Sequence, residues 1–331
     1  MARVARRSAG KTAKKSDAGP VRPRKTASQS VTFATACASP VISVAPSDRP
    51  ADDSLVEMQI PRVAPLVHGP WTGIDVAVVG SSHLRNSPPK PCQDAAVADA
   101  LGRGLVVLAD GAGSAAVSHL GASAVVGAVR RLCRTKEDEL AVILDAADQV
   151  DGSLRNLAQQ IVRHAKGVVE DVASGHMRSQ DDFRCTLLVW VVGKQRALWV
   201  KVGDGALVAE VDARAICIGP IGKGEFANQT NFVGPLLVDS QWSWGVIDST
   251  RLTGVVAMSD GAAERLVSND ATSVSIAIGK VLRGAAENRI GRSEVFNLLA
   301  EAEFWRGTSG DDKSLALIAR AANPQEPKQS E

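Results

Sequence analysis

Apolar positions along this chain fall into short runs of three to eight residues, separated by polar residues and Gly. Gly73–Gly80, Ala95–Val97, Gly104–Ala109, Thr186–Val192, Arg196–Val202, Leu207–Val211, Ala215–Ile218, Gly254–Met258 and Leu315–Ala319 each read as a strand. Gly193-Lys-Gln195 joins two of them as a hairpin. Helical spacing replaces these runs over Ser118–Cys133, over Leu140 to about Val172 with a break near Asp151-Gly152, and over Val274–Ala286 and Ser293–Trp305. Many hairpin-linked strands with two blocks of helix predict an α+β fold, antiparallel sheets covered by helices, not a doubly wound parallel sheet.

The patterning is confined to part of the chain. Residues 1–65 carry no sustained period: a basic stretch from Arg3 to Lys25 with one acid, Asp17, then a Ser-, Ala- and Pro-rich stretch. Such composition cannot bury enough apolar surface to offset ordering entropy, so it reads as a disordered tail. A nucleic-acid or other anionic contact would act through this tail alone. An ordered domain is expected over 66–322, with a second disordered segment at 323–331.

Composition then excludes several classes. Net charge is only +2, so the whole chain is not a polycation. With no Tyr and 4 % aromatics, base-stacking platforms are scarce. The five cysteines are scattered without a C-x-x-C pair, which argues against a thiolate zinc site and against a disulfide scaffold. No apolar stretch approaches a membrane span. A soluble monomer in the cytoplasm is the expectation.

Candidate chemistry lies at the strand ends. Of four Asp-Gly pairs, Asp110-Gly111, Asp204-Gly205 and Asp260-Gly261 follow apolar runs, whereas Asp151-Gly152 reads as a turn. Asp311 opens the last strand and Asp94 precedes the Gly104–Ala109 run. Carboxylates anchored where strands leave the core suit a hard divalent cation.

Taken in order, Gln93-Asp94-Ala95, Ala109-Asp110-Gly111-Ala-Gly113, Val202-Gly-Asp-Gly205, Ser259-Asp260-Gly261 and Gly310-Asp311-Asp312 resemble the metal-dependent serine/threonine protein phosphatases of the 2C type. Ser82-His83, Cys92-Gln-Asp94 and Gly224–Thr230 look like its bacterial branch. The resemblance implies a four-layer αββα sandwich. It also implies hydrolysis of phosphoserine and phosphothreonine on proteins by a water activated between two Mn2+ or Mg2+ ions. It assigns Asp110 as the bridging ligand, the Gly111 carbonyl, Asp260 and Asp311 as further ligands, and Asp94 as a holder of metal-bound water. Asp181, with Asp182 as the fallback, aligns with a ligand of a third, weaker metal. Asp204 reads as structural, and Gly222–Gly234 falls where relatives carry a flap.

Two positions depart from the family. Ala112 stands where eukaryotic relatives carry a His, and Pro89 where many carry a phosphate-gripping Arg; Lys90, Arg85 or His83 would have to serve. These losses keep a second reading open, an inactive phosphatase-fold protein that binds a kinase or signalling partner. The partners expected are a phosphorylated protein substrate and a cognate Ser/Thr kinase.

Overall fold

The computed structural model describes residues 70–147, 151–220 and 230–321. The basic tail, the 323–331 segment and most of the expected flap lie outside them. In chain order the elements are β1 (Trp71–Val78), α1 (Ser81–Leu84), β2 (Asp94–Asp99), β3 (Gly104–Asp110), α2 (Ser118–Thr135), α3 (Glu137–Leu144) and α4 (Asp151–Gly175). There follow β4 (Leu187–Val192), β5 (Arg196–Val202), β6 (Ala206–Val211), β7 (Arg214–Ile218), β8 (Ser243–Asp248) and β9 (Leu252–Met258), then α5 (Asp260–Leu266), α6 (Ile276–Ala286), α7 (Arg292–Ala300), α8 (Ala302–Trp305) and β10 (Lys313–Arg320). The break expected at Asp151-Gly152 falls just before it, so that pair opens a helix instead of making a turn. A short helix, α1, sits in what reads as a polar loop.

Among the described residues ten strands form two five-stranded antiparallel sheets, ordered β1-β10-β9-β6-β7 and β2-β3-β4-β5-β8. Alternation of side chains along each strand builds three apolar layers. On β3 and β4, Val106, Leu108, Leu188 and Trp190 face the other sheet, meeting Leu207, Val255, Ala257 and Ile318. The opposite faces, with Val107 and Val189, pack on α2 and α4 through Val125, Val129, Leu157 and Ile161. On the other side Val256, Leu315 and Leu317 pack on α6 and α7 through Leu282 and Val295. The result is the expected helix–sheet–sheet–helix sandwich, with Trp242 and Trp244 half-buried against the α2/α4 side.

One end of this sandwich collects the acids. β2 starts and β3 stops there, with Asp94 directly opposite Asp110. In the other sheet β9 ends there as β10 begins, with Met258 opposite Leu315. The β5–β6 turn, holding Asp204, belongs to the same end, since Ala206 pairs with Met258.

Candidate active site

Each acid is held by backbone that cannot easily shift. Asp110 N–H donates to Thr186 Oγ1 at 2.8 Å, and Thr186 N–H donates back to the Asp110 carbonyl at 2.7 Å. Gly111 N–H bonds to the Gln93 carbonyl at 3.1 Å. A Cβ on Gly111 would lie 2.7 Å from Ser118 Oγ and 2.8 Å from Gln93 O, so only glycine lets the chain pass here. Asp260 is the first residue of α5, and its carboxylate accepts the Gly261 N–H at 2.6 Å. The Asp311 carboxylate accepts the Asp312 N–H at 2.8 Å.

Electrostatics show that these acids share one space. Burial, then the charges of Asp94, Asp260 and Asp311, pushes the Asp110 carboxyl well above the ordinary carboxylate range. Burial, then the charge of Asp312, raises Asp94 to about 7. Burial, then Asp204 and Asp311, raises Asp260 to about 6. Both Asp94 oxygens are enclosed and make no well-formed hydrogen bond among the described residues, and the Ser259 and Ser314 hydroxyls near them only partly offset the burial. Buried carboxylates that repel one another with few donors between them are the set a divalent cation satisfies.

The remaining expected residues lie around this centre. Lys90 reaches the Gly113 carbonyl at 3.4 Å, and the Arg85 guanidinium lies beside Gly310, which places two exposed cations on the rim. His83, expected to face a phosphate, is buried instead, with Nδ1 3.0 Å from Asp312 Oδ1 and Nε2 3.6 Å from Asp311 Oδ1. Asp181 sits in a 3-10 turn at the surface, 3.7 Å from Arg184, and Asp182 pairs with Arg178. Neither is among the charges that perturb Asp110 or Asp260. Asp204 accepts a hydrogen bond from Thr230 Oγ1 at 2.6 Å while its charge bears on Asp260.

Asp312 has no role in the sequence reading, yet it is a hub. Its side chain is enclosed, and its oxygens accept the N–H groups of Gly80 and Gln93. The doubled acid Asp311-Asp312 is the one sequence signal that pointed to it. Cysteine chemistry finds no support: burial pushes the thiols of Cys92 and Cys185 well up, away from the reactive thiolate.

The protein phosphatase 2C family matches residues 79–294, more than half of the chain. A search of curated proteins gave no match. Among solved structures, the Mycobacterium tuberculosis serine/threonine phosphatase PstP/Ppp is 16 % identical with a TM-score of 0.51, over 76 % of this chain and 99 % of that one. PppA, described as a key regulatory component of T6SS in Pseudomonas aeruginosa, is 21 % identical with a TM-score of 0.50, over 76 % and 98 %. The catalytic domain of PstP in complex with two manganese ions is 17 % identical with a TM-score of 0.50, over 76 % and 100 %. At these identities the structures establish a shared fold. The family match goes further: this chain belongs to the protein phosphatase 2C family, and is by that membership a protein serine/threonine phosphatase.

Proposed function

We propose that the protein hydrolyses phosphoserine and phosphothreonine monoesters on proteins with two divalent cations, manganese or magnesium. Asp110, Asp260, Asp311 and the Gly111 carbonyl would hold them, with Asp94 acting through a water. The observation that carries this reading is the enclosed carboxylate cluster in which Asp94 lies opposite Asp110, and Asp110 is raised by burial and then by the charges of three neighbouring acids. The two manganese ions of the PstP domain support a pair here. Bound cations supply an activated water near neutral pH and neutralise charge on the phosphoryl oxygens.

The chain's own groups do the rest. Asp94, which lies opposite Asp110 across the β2–β3 pair, would accept a hydrogen bond from a water held by the cations, whose charge would keep its carboxyl ionised. Lys90, a mobile point charge, and Arg85, a guanidinium fork on an exposed side chain, would receive the phosphate at the open rim. Ala112 offers no proton to the departing serine or threonine oxygen, so that proton comes from water. Asp181 would have to give up Arg184 to serve a third, weaker cation. The alternative, an inactive partner-binding member, gains nothing from the family match or from the site.

The test is release of phosphate from a phosphothreonine peptide on adding manganese, reversed by a chelator and abolished by Asp260→Asn. Tight manganese binding with no turnover of any phosphopeptide would sink the proposal.

A further inference from the structure

His83 stands in a setting that substrate binding does not explain. Its side chain is 8 % exposed, yet it lies on a four-residue helix in an otherwise polar loop. That helix is locked to the loop carrying Asp311, just before β10. Ser82 N–H donates to the Gly310 carbonyl at 2.9 Å. Gly80 packs so tightly there that a Cβ would lie 2.6 Å from both Gly310 O and the Asp311 carbonyl carbon. Both ring nitrogens of His83 are thereby turned to acids, Nδ1 to Asp312 and Nε2 to Asp311.

Those two acids are not alike. The Asp312 side chain is 2 % exposed and its oxygens are already taken by the Gly80 and Gln93 N–H groups. It is a fixed point, not a free ligand, although His83, Asp311 and Asp312 bring ligand-type atoms within 4.8 Å of one another. The Asp311 side chain is 49 % exposed. Its Oδ1 takes the Asp312 N–H and faces His83, while Oδ2 has no donor among the described residues. A carboxylate with one oxygen committed to the protein and one left open is set to ligate in a single orientation. The buried His83 Nδ1 has no aligned hydrogen bond and Nε2 lies 3.6 Å from Asp311, so the ring meets the two acids by packing between them.

We infer that His83 is a positioning residue for the metal centre: seated between Asp312 and Asp311, it fixes the Asp311 carboxylate with its free oxygen toward the cations. Partners of metal ligands set ligand orientation, and their loss costs about 10- to 100-fold in metal affinity. The inference rests on the two-metal reading above.

Manganese alone, titrated into the full chain and followed by the electron paramagnetic resonance of the free ion, provides the test. His83→Ala should weaken binding about 10- to 100-fold. His83→Gln, whose amide can donate to Asp311, should recover part of that loss, and His83→Asn, too short to span the two acids, should not. At saturating manganese the KM for a phosphopeptide should stay unchanged, because His83 does not touch substrate. Should His83→Ala not fold, the Gln and Asn pair decides: equal affinity in both, matching the parent chain, overturns the inference. Equal affinity in His83→Ala and the parent overturns it alone, provided Asp110→Asn still abolishes binding. No manganese binding by the parent chain overturns this inference and the proposed function together.

Discussion

β2 begins and ends with a buried aspartate, and the two have opposite surroundings. Asp99 receives Arg130 Nε at 2.8 Å, Arg134 Nε at 2.9 Å and the Leu101 N–H at 3.1 Å. Burial alone would raise its carboxyl, but the hydrogen bonds from Arg134 and Arg130 outweigh it and hold the group at about 2. Asp94, five residues earlier on the same strand, is buried among acids with only serine hydroxyls nearby and no cation, and its carboxyl rises to about 7. The first charge is compensated by the chain itself; the second is left for something the chain does not contain. Uncompensated buried charge costs stability, and proteins tolerate it where function needs it.

The largest effect expected on stability separates the two ends by sign. Asp99→Asn removes the charge that two arginines bond and should lower unfolding free energy by about 2 kcal/mol, the scale of hydrogen bonds to charged groups. Asp94→Asn relieves repulsion and should leave the metal-free protein as stable or about 1 kcal/mol more stable, while impairing manganese-dependent turnover. Chemical denaturation of both variants with a chelator present checks this. If Asp94→Asn destabilises as much as Asp99→Asn, the two ends are not built differently.

The same contrast explains what could be read in advance. β3, β4, β9 and β10 are buried on both faces, so they appear as continuous apolar runs and their existence is plain in the sequence. The grouping of Asp110, Asp260 and Asp311 was legible because each sits at one edge of such a run. Asp312 was not, because its role comes from the N–H groups of Gly80 and Gln93, over two hundred residues away along the chain. His83 was misplaced for a related reason. Four residues of helix have no period to show, and only the packing of Gly80 on Gly310 reveals that α1 turns inward. Asp99 went unnoticed since its arginines lie on α2, across a helix–sheet contact.

Titration should sharpen the comparison further. Asp99 is held below its unfolded value of roughly 4, so its contribution is present above that pH and is lost as pH falls towards 2. Asp94 and Asp260 are raised, so in the folded metal-free protein they keep protons that the unfolded chain has released. Their contribution is therefore favourable at low pH and is lost as pH rises from roughly 4 through about 6 and about 7. With a chelator present, the melting temperature should peak in mildly acidic solution and decline towards neutral pH. Manganese should reverse that decline, with a larger stabilisation at pH 7.5 than at pH 5. A flat chelated profile between pH 5 and 8 would mean that the acids do not repel one another as their burial implies.

The smallest stability effect belongs to the rim of the acid-rich end, where charges meet water. The Lys90 side chain is exposed, and its ammonium donates to the Gly113 carbonyl at 3.4 Å. An exposed contact of this kind contributes within about 0.5 kcal/mol to stability, so Lys90→Ala should barely move the melting temperature. Its ammonium bonds a carbonyl and none of the enclosed acids, so manganese affinity should stay unchanged. A cation on the rim can still draw a phosphate dianion, so KM for a phosphopeptide should rise several-fold with kcat nearly constant, and the rise should shrink in high salt as screening replaces the lost attraction. A fall in kcat with KM unchanged would instead place Lys90 at the reacting phosphoryl group, and the division between an interior that organises cations and a rim that collects substrate would then fail at this residue.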